Sequence, residues 1–215
     1  MAEKIDCVIV SGAPVDDTEF IKENIPANAY IIAADSGYKK LESIGLKPDL
    51  IIADFDSSDE PEGDYNIKSF PVEKDATDTF NAVKAAVSKG FKNLLILGAL
   101  GGRLDHTYSN ILCLDYAMKN GADCVIADSN NRLSLIKKKR SFNKDYQWFS
   151  LFAFMKPCYG IKIEGAHYTA GFYGKDRLDL EPFEQYGQSN YIENDKCTVS
   201  VEKGVLLLIE CNDYR

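Results

Sequence analysis

The sequence lacks the long apolar run that a membrane helix requires. No stretch approaches the ~20 consecutive apolar residues that span a bilayer, and the six cysteines form no C-x-x-C pair. Residues 1–6 mix acid and base with no apolar stretch behind them, unlike a secretory signal. We therefore expect a cytoplasmic chain with no membrane partner, whose cysteines are reduced core residues.

Basic residues are in the minority. The 215 residues include 25 Lys and Arg against 33 Asp and Glu, so the formal net charge is −8. Proteins that bind nucleic acid regardless of its sequence need clustered cations to displace counterions, and the longest basic run, residues 137–140, is short. We expect no nucleic-acid partner. An acidic protein that binds polyphosphate needs a divalent cation to offset repulsion, so carboxylate clusters are of first interest.

The first part of the chain has the pattern of an α/β fold. Short apolar runs alternate with amphipathic stretches and predict buried parallel strands at residues 7–10, 30–33, 50–53, 94–97 and 124–127. Apolar residues at helical spacing predict one helix over residues 76–89 and a second from Leu104 through Tyr108 to Met118. We expect a mostly parallel sheet with flanking helices over residues 1–138.

The rest of the chain has the pattern of an all-β domain. Short aromatic and β-branched runs are separated by glycines and acidic turns, which predicts a β-sandwich over residues 139–215. The last two runs, residues 199–201 and 205–208, predict a hairpin in which Gly204 has a positive φ. The fold class is therefore α/β followed by a C-terminal all-β sandwich.

Two pairs of aspartates lie where a sheet of this kind binds ligands. Asp54 and Asp56 follow the third predicted strand, and the ends of parallel strands form the ligand-binding edge. Asp75 and Asp78 open the next predicted helix, where Asp75 is a good N-cap. Each pair alone fits an ordinary turn or helix cap. Two such loops at one edge indicate a site for a hard cation.

A glycine-rich turn joins the fourth predicted strand to the next helix. It reads Gly98-Ala99-Leu100-Gly101-Gly102-Arg103-Leu104-Asp105-His106 and matches neither the Walker loop nor G-x-G-x-x-G. Adjacent glycines let backbone N–H groups approach a phosphate at a helix N-terminus. Arg103 adds a guanidinium that can bind two phosphate oxygens at once. The turn favours phosphate binding, and His106 is equally compatible with a structural and a functional role.

The ordered set of motifs resembles the thiamine pyrophosphokinase family. It comprises Ala34-Asp35-Ser36-Gly37, Asp54-Phe55-Asp56-Ser57, Lys74-Asp75-Ala76-Thr77-Asp78 and Gly101-Gly102-Arg103-Leu104-Asp105-His106. The resemblance spans residues 5–136 and continues more loosely through Gly187-Gln188-Ser189-Asn190, where Tyr191 replaces a frequent acidic residue. It implies transfer of the diphosphate of ATP to the hydroxyl of thiamine, with release of AMP.

The resemblance also implies roles for individual residues. Mg²⁺ would be held by Asp54, Asp56, Asp75 and Asp78, which with Arg103 form the catalytic set. ATP would be bound by Asp35, Lys74, Thr77, Gly101, Gly102, Arg103, Asp105 and His106. Thiamine would lie near Ser189 and Asn190, at sites between the subunits of a homodimer.

Two other functions remain open from the residues alone. In the first, Asp54 and Asp56 are the nucleophile and acid of a Mg²⁺-dependent aspartyl-phosphate phosphatase, which releases phosphate without an acceptor. In the second, the chain is a non-catalytic nucleotide-binding module that binds ATP without consuming it. Formation of AMP that depends on an acceptor distinguishes the diphosphotransferase from both.

Overall fold

A computed structural model describes residues 4–54, 61–69 and 76–213. Asp56, Lys74 and Asp75, which the sequence placed in the site, lie outside these ranges. The chain divides between Ser129 and Asn130 into two compact units, earlier than the expected boundary at residues 138 and 139. Each unit has its own hydrophobic core, and they are described below as the first and second units.

The first unit contains a parallel sheet, as predicted. Its strands, in the spatial order β4-β3-β2-β1-β5-β6, are β1 (Cys7–Val10), β2 (Tyr30–Ala34), β3 (Leu50–Ala53), β4 (Ile67–Ser69), β5 (Asn93–Leu97) and β6 (Asp123–Ala127). All neighbouring pairs in this order are parallel. Strands β1 and β3 are buried throughout, as strands covered on both faces must be. Strand β4 was not predicted, because three residues carry too little pattern.

The helices of the first unit are α1 (Thr18–Asn24), α2 (Gly37–Ser43), α3 (Asp78–Ser88) and α4 (Leu104–Lys119). The sequence predicted the last two. The N-cap of α3 is Thr77, whose hydroxyl accepts a hydrogen bond from the Phe80 N–H at 3.2 Å, so the N-cap prediction for Asp75 was wrong. Thr77 is the residue positioned to satisfy an otherwise unpaired N–H of the first helical turn.

The buried face of α4 differs from the predicted one. Leu104 and Tyr108 are 79% and 56% exposed, whereas Asn110, Cys113, Leu114 and Ala117 are buried. The prediction treated large apolar residues as core residues. The buried stripe instead contains two small residues, one leucine and one asparagine, and the amide of Asn110 is paired with the Ala99 carbonyl.

The order of the strands fixes where a ligand can bind. The chain runs outward from β1 through β2 and β3 to β4, and β5 then returns to the other side of β1. The loops after β1 and β5 therefore leave the sheet in opposite directions. In open α/β sheets a crevice forms at such a switch point, outside the carboxyl ends of the strands.

The second unit is built from antiparallel strands. They are β7 (Asn131–Ile136), β8 (Lys139–Asn143), β9 (Trp148–Ala153), β10 (Cys158–Glu164), β11 (Leu178–Leu180), β12 (Lys196–Ser200) and β13 (Leu206–Cys211). Strand β13 pairs with β7 and β9, while a four-stranded sheet has the order β11-β10-β12-β8. The predicted hairpin was wrong, because β12 and β13 belong to different sheets. Gly204 between them does have a positive φ, of 100°.

All six cysteines are free thiols, and Cys7, Cys113, Cys124, Cys158 and Cys197 are buried, as expected of core residues. Burial raises the pKa of the Cys7 and Cys113 thiols to about 12, which keeps them protonated and unreactive. Within the described ranges, no helix has the length and apolar character needed to cross a bilayer.

Candidate active site

A cleft of about 470 Å³ opens at the carboxyl edge of the parallel sheet in the first unit. Its lining includes residues from the loops after β1, β2, β3 and β5 and from the start of α3. The site residues predicted from sequence that line it are Asp35, Asp54, Thr77, Asp78, Gly101, Arg103 and His106. The cleft therefore brings together residues that are as many as 71 positions apart in the sequence, from 35 to 106.

Three carboxylates line the cleft. Asp54 directly follows β3 and Asp78 is the first residue of α3, and both are half-buried. The position of Asp78 in the first helical turn is favourable, because the positive end of the helix dipole stabilises an anion there. Asp35 contributes a third carboxylate from the end of β2.

The backbone at Asp35 is in the left-handed region, with φ of 53°. Non-glycine residues adopt this conformation at a cost of about 1 kcal/mol, although aspartate tolerates it better than most. The turn is held close to the end of β1, because a Cβ at Gly37 would collide with the Val10 carbonyl and a Cβ at Gly12 with the Ser36 hydroxyl. Two glycines thus let the segment that carries Asp35 pack directly against the strand beside it.

Two loops also line the cleft. We call residues 11–17, after β1, the β1 loop, and residues 98–103, after β5, the glycine loop. Gly101 and Gly102 have φ of 87° and 69°. A Cβ at Gly101 would collide with Val15, and one at Gly102 would lie 2.6 Å from Pro14 Cγ. The two loops are therefore in direct contact, and glycine is required for both conformation and space.

Hydrogen bonds to neighbouring backbone and side chains hold both loops in place. The Ser11 N–H donates to the Leu97 carbonyl at 2.8 Å, and the Ala13 N–H donates to the Gly98 carbonyl at 2.9 Å. The hydroxyls of Ser11 and Thr79 lie 2.7 Å apart, and Asn110 Nδ2 donates to the Ala99 carbonyl at 2.8 Å. Sequence reasoning missed Ser11, Thr79 and Asn110, since a polar side chain gives no signal of such a role until its partner is known.

Arg103 is held by a neighbouring carboxylate. Its Nε donates to Asp105 Oδ1 at 3.1 Å, and its Nη2 donates to Oδ2 at 2.6 Å. This hydrogen bonding holds the pKa of Asp105 well below its ordinary value, at about 2, and raises that of Arg103. A guanidinium has five N–H donors, so Arg103 can bind a phosphate while Asp105 orients it.

The donor set fits Mg²⁺ bound to a nucleotide. Mg²⁺ is commonly held by one or two carboxylates together with phosphate oxygens and water, without a closed protein cage. Within residues 4–54, 61–69 and 76–213, no three side chains of Asp, Glu, His or Cys converge closely enough to hold a metal by themselves. Asp35, Asp54 and Asp78 nonetheless line one cleft, and oxygen is the ligand atom that this cation prefers.

Asn190, predicted near thiamine, is a buried residue of the second unit with only 2% of its surface exposed. Its amide nitrogen donates to the Tyr168 carbonyl at 2.7 Å, and its amide oxygen accepts from the N–H groups of Tyr168 at 3.0 Å and Tyr191 at 2.9 Å. The amide therefore fixes the backbone on which two aromatic residues are carried. Ser189 beside it is exposed, with φ of 55°.

Comparison with known proteins identifies the family. Residues 21–126 match the family model described as thiamin pyrophosphokinase, catalytic domain. The chain is also 26% identical to the thiamine pyrophosphokinase of Bacillus subtilis (strain 168), over 95% of this chain and 98% of that protein. Residues 21–126 belong to the thiamine pyrophosphokinase family.

Solved structures agree with the fold of this family. The crystal structure of thiamine pyrophosphokinase from Bacillus subtilis superimposes with a TM-score of 0.86 at 23% identity, covering 97% of this chain and all of that one. The corresponding enzyme from Geobacillus thermodenitrificans gives a TM-score of 0.81 at 23% identity, covering 97% of this chain and 98% of that one. The expected order, an α/β unit followed by an antiparallel one, is thus the fold of these relatives.

The second unit carries a group of packed rings that the sequence did not single out. We call His167, Tyr168, Phe172 and Tyr191 the aromatic cluster. The His167 and Tyr191 rings stack at 4.7 Å and 14°, and Tyr168 meets Phe172 edge to face at 4.9 Å. His167 Nδ1 lies 3.1 Å from Glu193 Oε1. The high density of aromatic residues between positions 167 and 191 is a signal that could have found it.

Proposed function

We propose that the protein is an ATP:thiamine diphosphotransferase. The terminal diphosphate of ATP is transferred to the hydroxyl of thiamine, and the products are thiamine diphosphate and AMP. The observation that carries this proposal is the cleft at the switch point between β1 and β5, which is lined by the carboxylates of Asp54 and Asp78 together with Arg103 and Gly101. All four residues lie within the segment that matches the catalytic-domain family.

The reaction is an in-line displacement at phosphorus. The thiamine hydroxyl oxygen forms a bond to the β-phosphorus, while the bond from that phosphorus to the oxygen bridging to the α-phosphorus breaks. AMP leaves with the bridging oxygen, and the hydroxyl proton passes to a base. Such reactions are catalysed mainly by positioning and by electrostatic stabilisation of the transferring group.

In this proposal the glycine loop and the aspartates have separate roles. Backbone N–H groups of the glycine loop and the guanidinium of Arg103 bind phosphate oxygens, and Asp105 keeps Arg103 oriented. Asp54 and Asp78, together with Asp56 and Asp75 outside the described residues, hold Mg²⁺. When bound, Mg²⁺ offsets the charge of the polyphosphate and so permits attack by the hydroxyl.

Asp78 is the better candidate for the proton acceptor. Asp105 is less suitable, because its hydrogen bonds with Arg103 hold its pKa at about 2. A carboxylate with so low a pKa is a weak base at neutral pH. Asp78 lines the cleft, at the first residue of α3.

The aromatic cluster is proposed as the binding surface for the thiazolium cation. Ring faces attract cations through their quadrupole, and the adjacent carboxylate of Glu193 adds negative charge. Asn190 acts here as a positioning residue, because its amide fixes the backbone of Tyr168 and Tyr191. Ser189, exposed beside it, stays a proposed thiamine contact. The homodimer and the cytoplasmic location also stay proposals, drawn from the family resemblance and from the sequence.

The test is product analysis of the purified protein with ATP, Mg²⁺ and thiamine, resolved by chromatography. We expect thiamine diphosphate and AMP in equal amounts, with both lost when thiamine is omitted or a chelator is added. Phosphate released without thiamine would favour the aspartyl-phosphate phosphatase, and ATP bound but unconsumed would favour the binding module. Formation of ADP would indicate transfer of the γ-phosphoryl group instead.

A further inference from the structure

A lysine from α2 reaches the wall of the cleft without lining it. Lys40 lies in the last turn of α2 and is half-buried. Its Nζ donates a hydrogen bond to the Val15 carbonyl, in the middle of the β1 loop, at 2.7 Å. The same side chain passes the glycine loop, since a Cβ at Gly98 would lie 3.6 Å from Lys40 Cδ. Lys40 is therefore next to both the β1 loop and the glycine loop.

The carbonyl that Lys40 binds belongs to the part of the β1 loop that packs on the glycines. Pro14 and Val15 occupy the space that a side chain at Gly102 or Gly101 would need. Gly12, Ala13 and Pro14 line the cleft, as does Gly101 on the other loop. A shift of Val15 would therefore move two segments of the cleft wall together.

The rest of the β1 loop is fixed at its ends. Ser11 and Ala13 hydrogen-bond the backbone of Leu97 and Gly98, and Asp17 Oδ2 accepts from the Ser129 N–H at 3.3 Å. Between these anchors, Pro14, Val15 and Asp16 are exposed. The hydrogen bond from Lys40 reaches this exposed middle section, between the two anchors.

The placement of Lys40 is unfavourable for a lysine without such a role. Lysine is rarely buried unless it has a partner, and partial burial lowers the pKa of this ammonium, against the opposing effect of Asp17 and Asp16. A surface lysine of a short helix is ordinarily exposed, as its neighbour Lys39 is. The energy of ordering the Lys40 side chain is offset by the charged hydrogen bond to Val15.

We propose that Lys40 is a positioning residue of the nucleotide site, which holds the β1 loop against the glycine loop so that the cleft keeps the shape that receives polyphosphate. The inference rests on the proposed function for the identity of the ligand. Lys40 acts through Val15 and does not itself contact the substrate in this proposal.

The test compares Lys40→Met, which keeps the aliphatic stem and removes the donor, with Lys40→Arg, which restores a donor. Lys39→Met is the matched control, because Lys39 is the adjacent lysine on the same helix and is exposed. We measure kcat, the KM for ATP and the KM for thiamine separately. Calorimetric binding of Mg²⁺-ATP without thiamine gives a second readout that needs no turnover.

For Lys40→Met we expect the KM and the Kd for ATP to rise about tenfold, as for the loss of a charged hydrogen bond, with kcat and the KM for thiamine within about twofold of the unmodified protein. Lys40→Arg should recover most of the ATP affinity, and Lys39→Met should match the unmodified protein. Unchanged ATP affinity in Lys40→Met, or an equal loss of ATP and thiamine affinity, would overturn the proposal.

Failure of the proposed function and misfolding of the variant can each be distinguished from failure of the Lys40 proposal. If the unmodified protein binds ATP but forms no thiamine diphosphate, the proposed function fails, while the calorimetric affinities still decide the role of Lys40. If Lys40→Met does not fold, as judged by its circular dichroism and melting, Lys40→Gln replaces it. That variant is expected to lose several-fold in ATP affinity, and wild-type affinity in it would overturn the proposal.

Discussion

Each unit of this chain buries one asparagine whose side chain holds a loop backbone, but the loops so held present different chemistry. In the first unit Asn110 donates to the Ala99 carbonyl of the glycine loop, and it lines the cleft together with aspartates and Arg103. In the second unit Asn190 fixes the backbone of Tyr168 and Tyr191, which carry packed rings. The first arrangement suits phosphate and a metal ion, and the second suits an organic cation.

The comparison shows that a buried polar residue near a site is not thereby a ligand-binding residue. Both asparagines are at most 5% exposed and use their amides on backbone groups. A buried amide left unpaired costs roughly 1–3 kcal/mol, so such residues are kept where a loop must hold one conformation.

The largest effect is expected from a substitution that removes a negative charge from the first unit. Asp54→Asn should lower kcat on the order of 100-fold or more while leaving the fold intact, because an amide binds Mg²⁺ less well than a carboxylate. The measurement is kcat as a function of Mg²⁺ concentration, with a thermal melt to check folding. Asp115→Asn is the control, since Asp115 pairs with Lys119 on α4 and does not line the cleft. An Asp54→Asn enzyme with normal activity and Mg²⁺ dependence would remove Asp54 from the metal site.

The next effect tests whether geometry or charge matters at Arg103. Arg103→Lys keeps the positive charge and loses the paired donors, so we expect the KM for ATP to rise about tenfold. Steady-state kinetics with ATP varied at saturating thiamine measure it. Arg177→Lys, which alters an exposed arginine paired with Glu202 in the second unit, is the control and should leave the KM for ATP unchanged. Equal effects of the two substitutions would argue against a specific role for Arg103.

Substitution of the two asparagines tests whether each unit binds a different ligand. Asn110→Ala and Asn190→Ala should each lower the free energy of unfolding by about 2 kcal/mol, because each leaves backbone groups unpaired. Urea unfolding measures this loss. We further expect a roughly fivefold rise in the KM for ATP from the first substitution and in the KM for thiamine from the second. If both variants raised both values alike, the assignment of one ligand to each unit would be wrong.

The smallest expected effect concerns pH. The folded pKa of Asp105, at about 2, is lower than its ordinary value, so this carboxylate stays charged as the pH falls to the range where ordinary carboxylates titrate, about pH 4. Any stability it contributes is present above its unfolded pKa and is lost only as pH falls through about 2. Asp105→Asn should therefore raise the KM for ATP about twofold and leave the acidic limb of the pH profile of kcat/KM in place. A shifted limb would assign proton transfer to Asp105.

Much of the first unit could be predicted, because its strands carry strong local signals. Strands β1 and β3 begin and end at the predicted residues, and β2, β5 and β6 differ by one residue. These runs are apolar on both faces, so burial and strand formation coincide. The wrong predictions arose where one pattern has two physical explanations. Leu104 and Tyr108 fit an apolar helix face but are exposed, and two apolar runs around Gly204 fit a hairpin but enter different sheets.

The candidate site was predicted in part. Acidic and glycine-rich motifs at strand ends indicated Asp54, Asp78, Gly101 and Arg103, and all four line one cleft. The supporting residues were missed, because the role of Lys40 depends on a carbonyl 25 positions away and that of Asn190 on one 22 positions away. No local pattern marks a side chain whose partner is distant in the sequence.

The sequence by itself determined the class of fold, the family and the types of group available for catalysis. These follow from local periodicity, from charge and from short motifs, each of which is written within a few consecutive residues. Only the tertiary structure decided which groups meet, that Arg103 is held by Asp105, that Asn190 is a scaffold residue, and that Lys40 reaches the β1 loop. Those outcomes depend on the strand order and on close approach at glycines, which are properties of the folded chain and not of any segment of it.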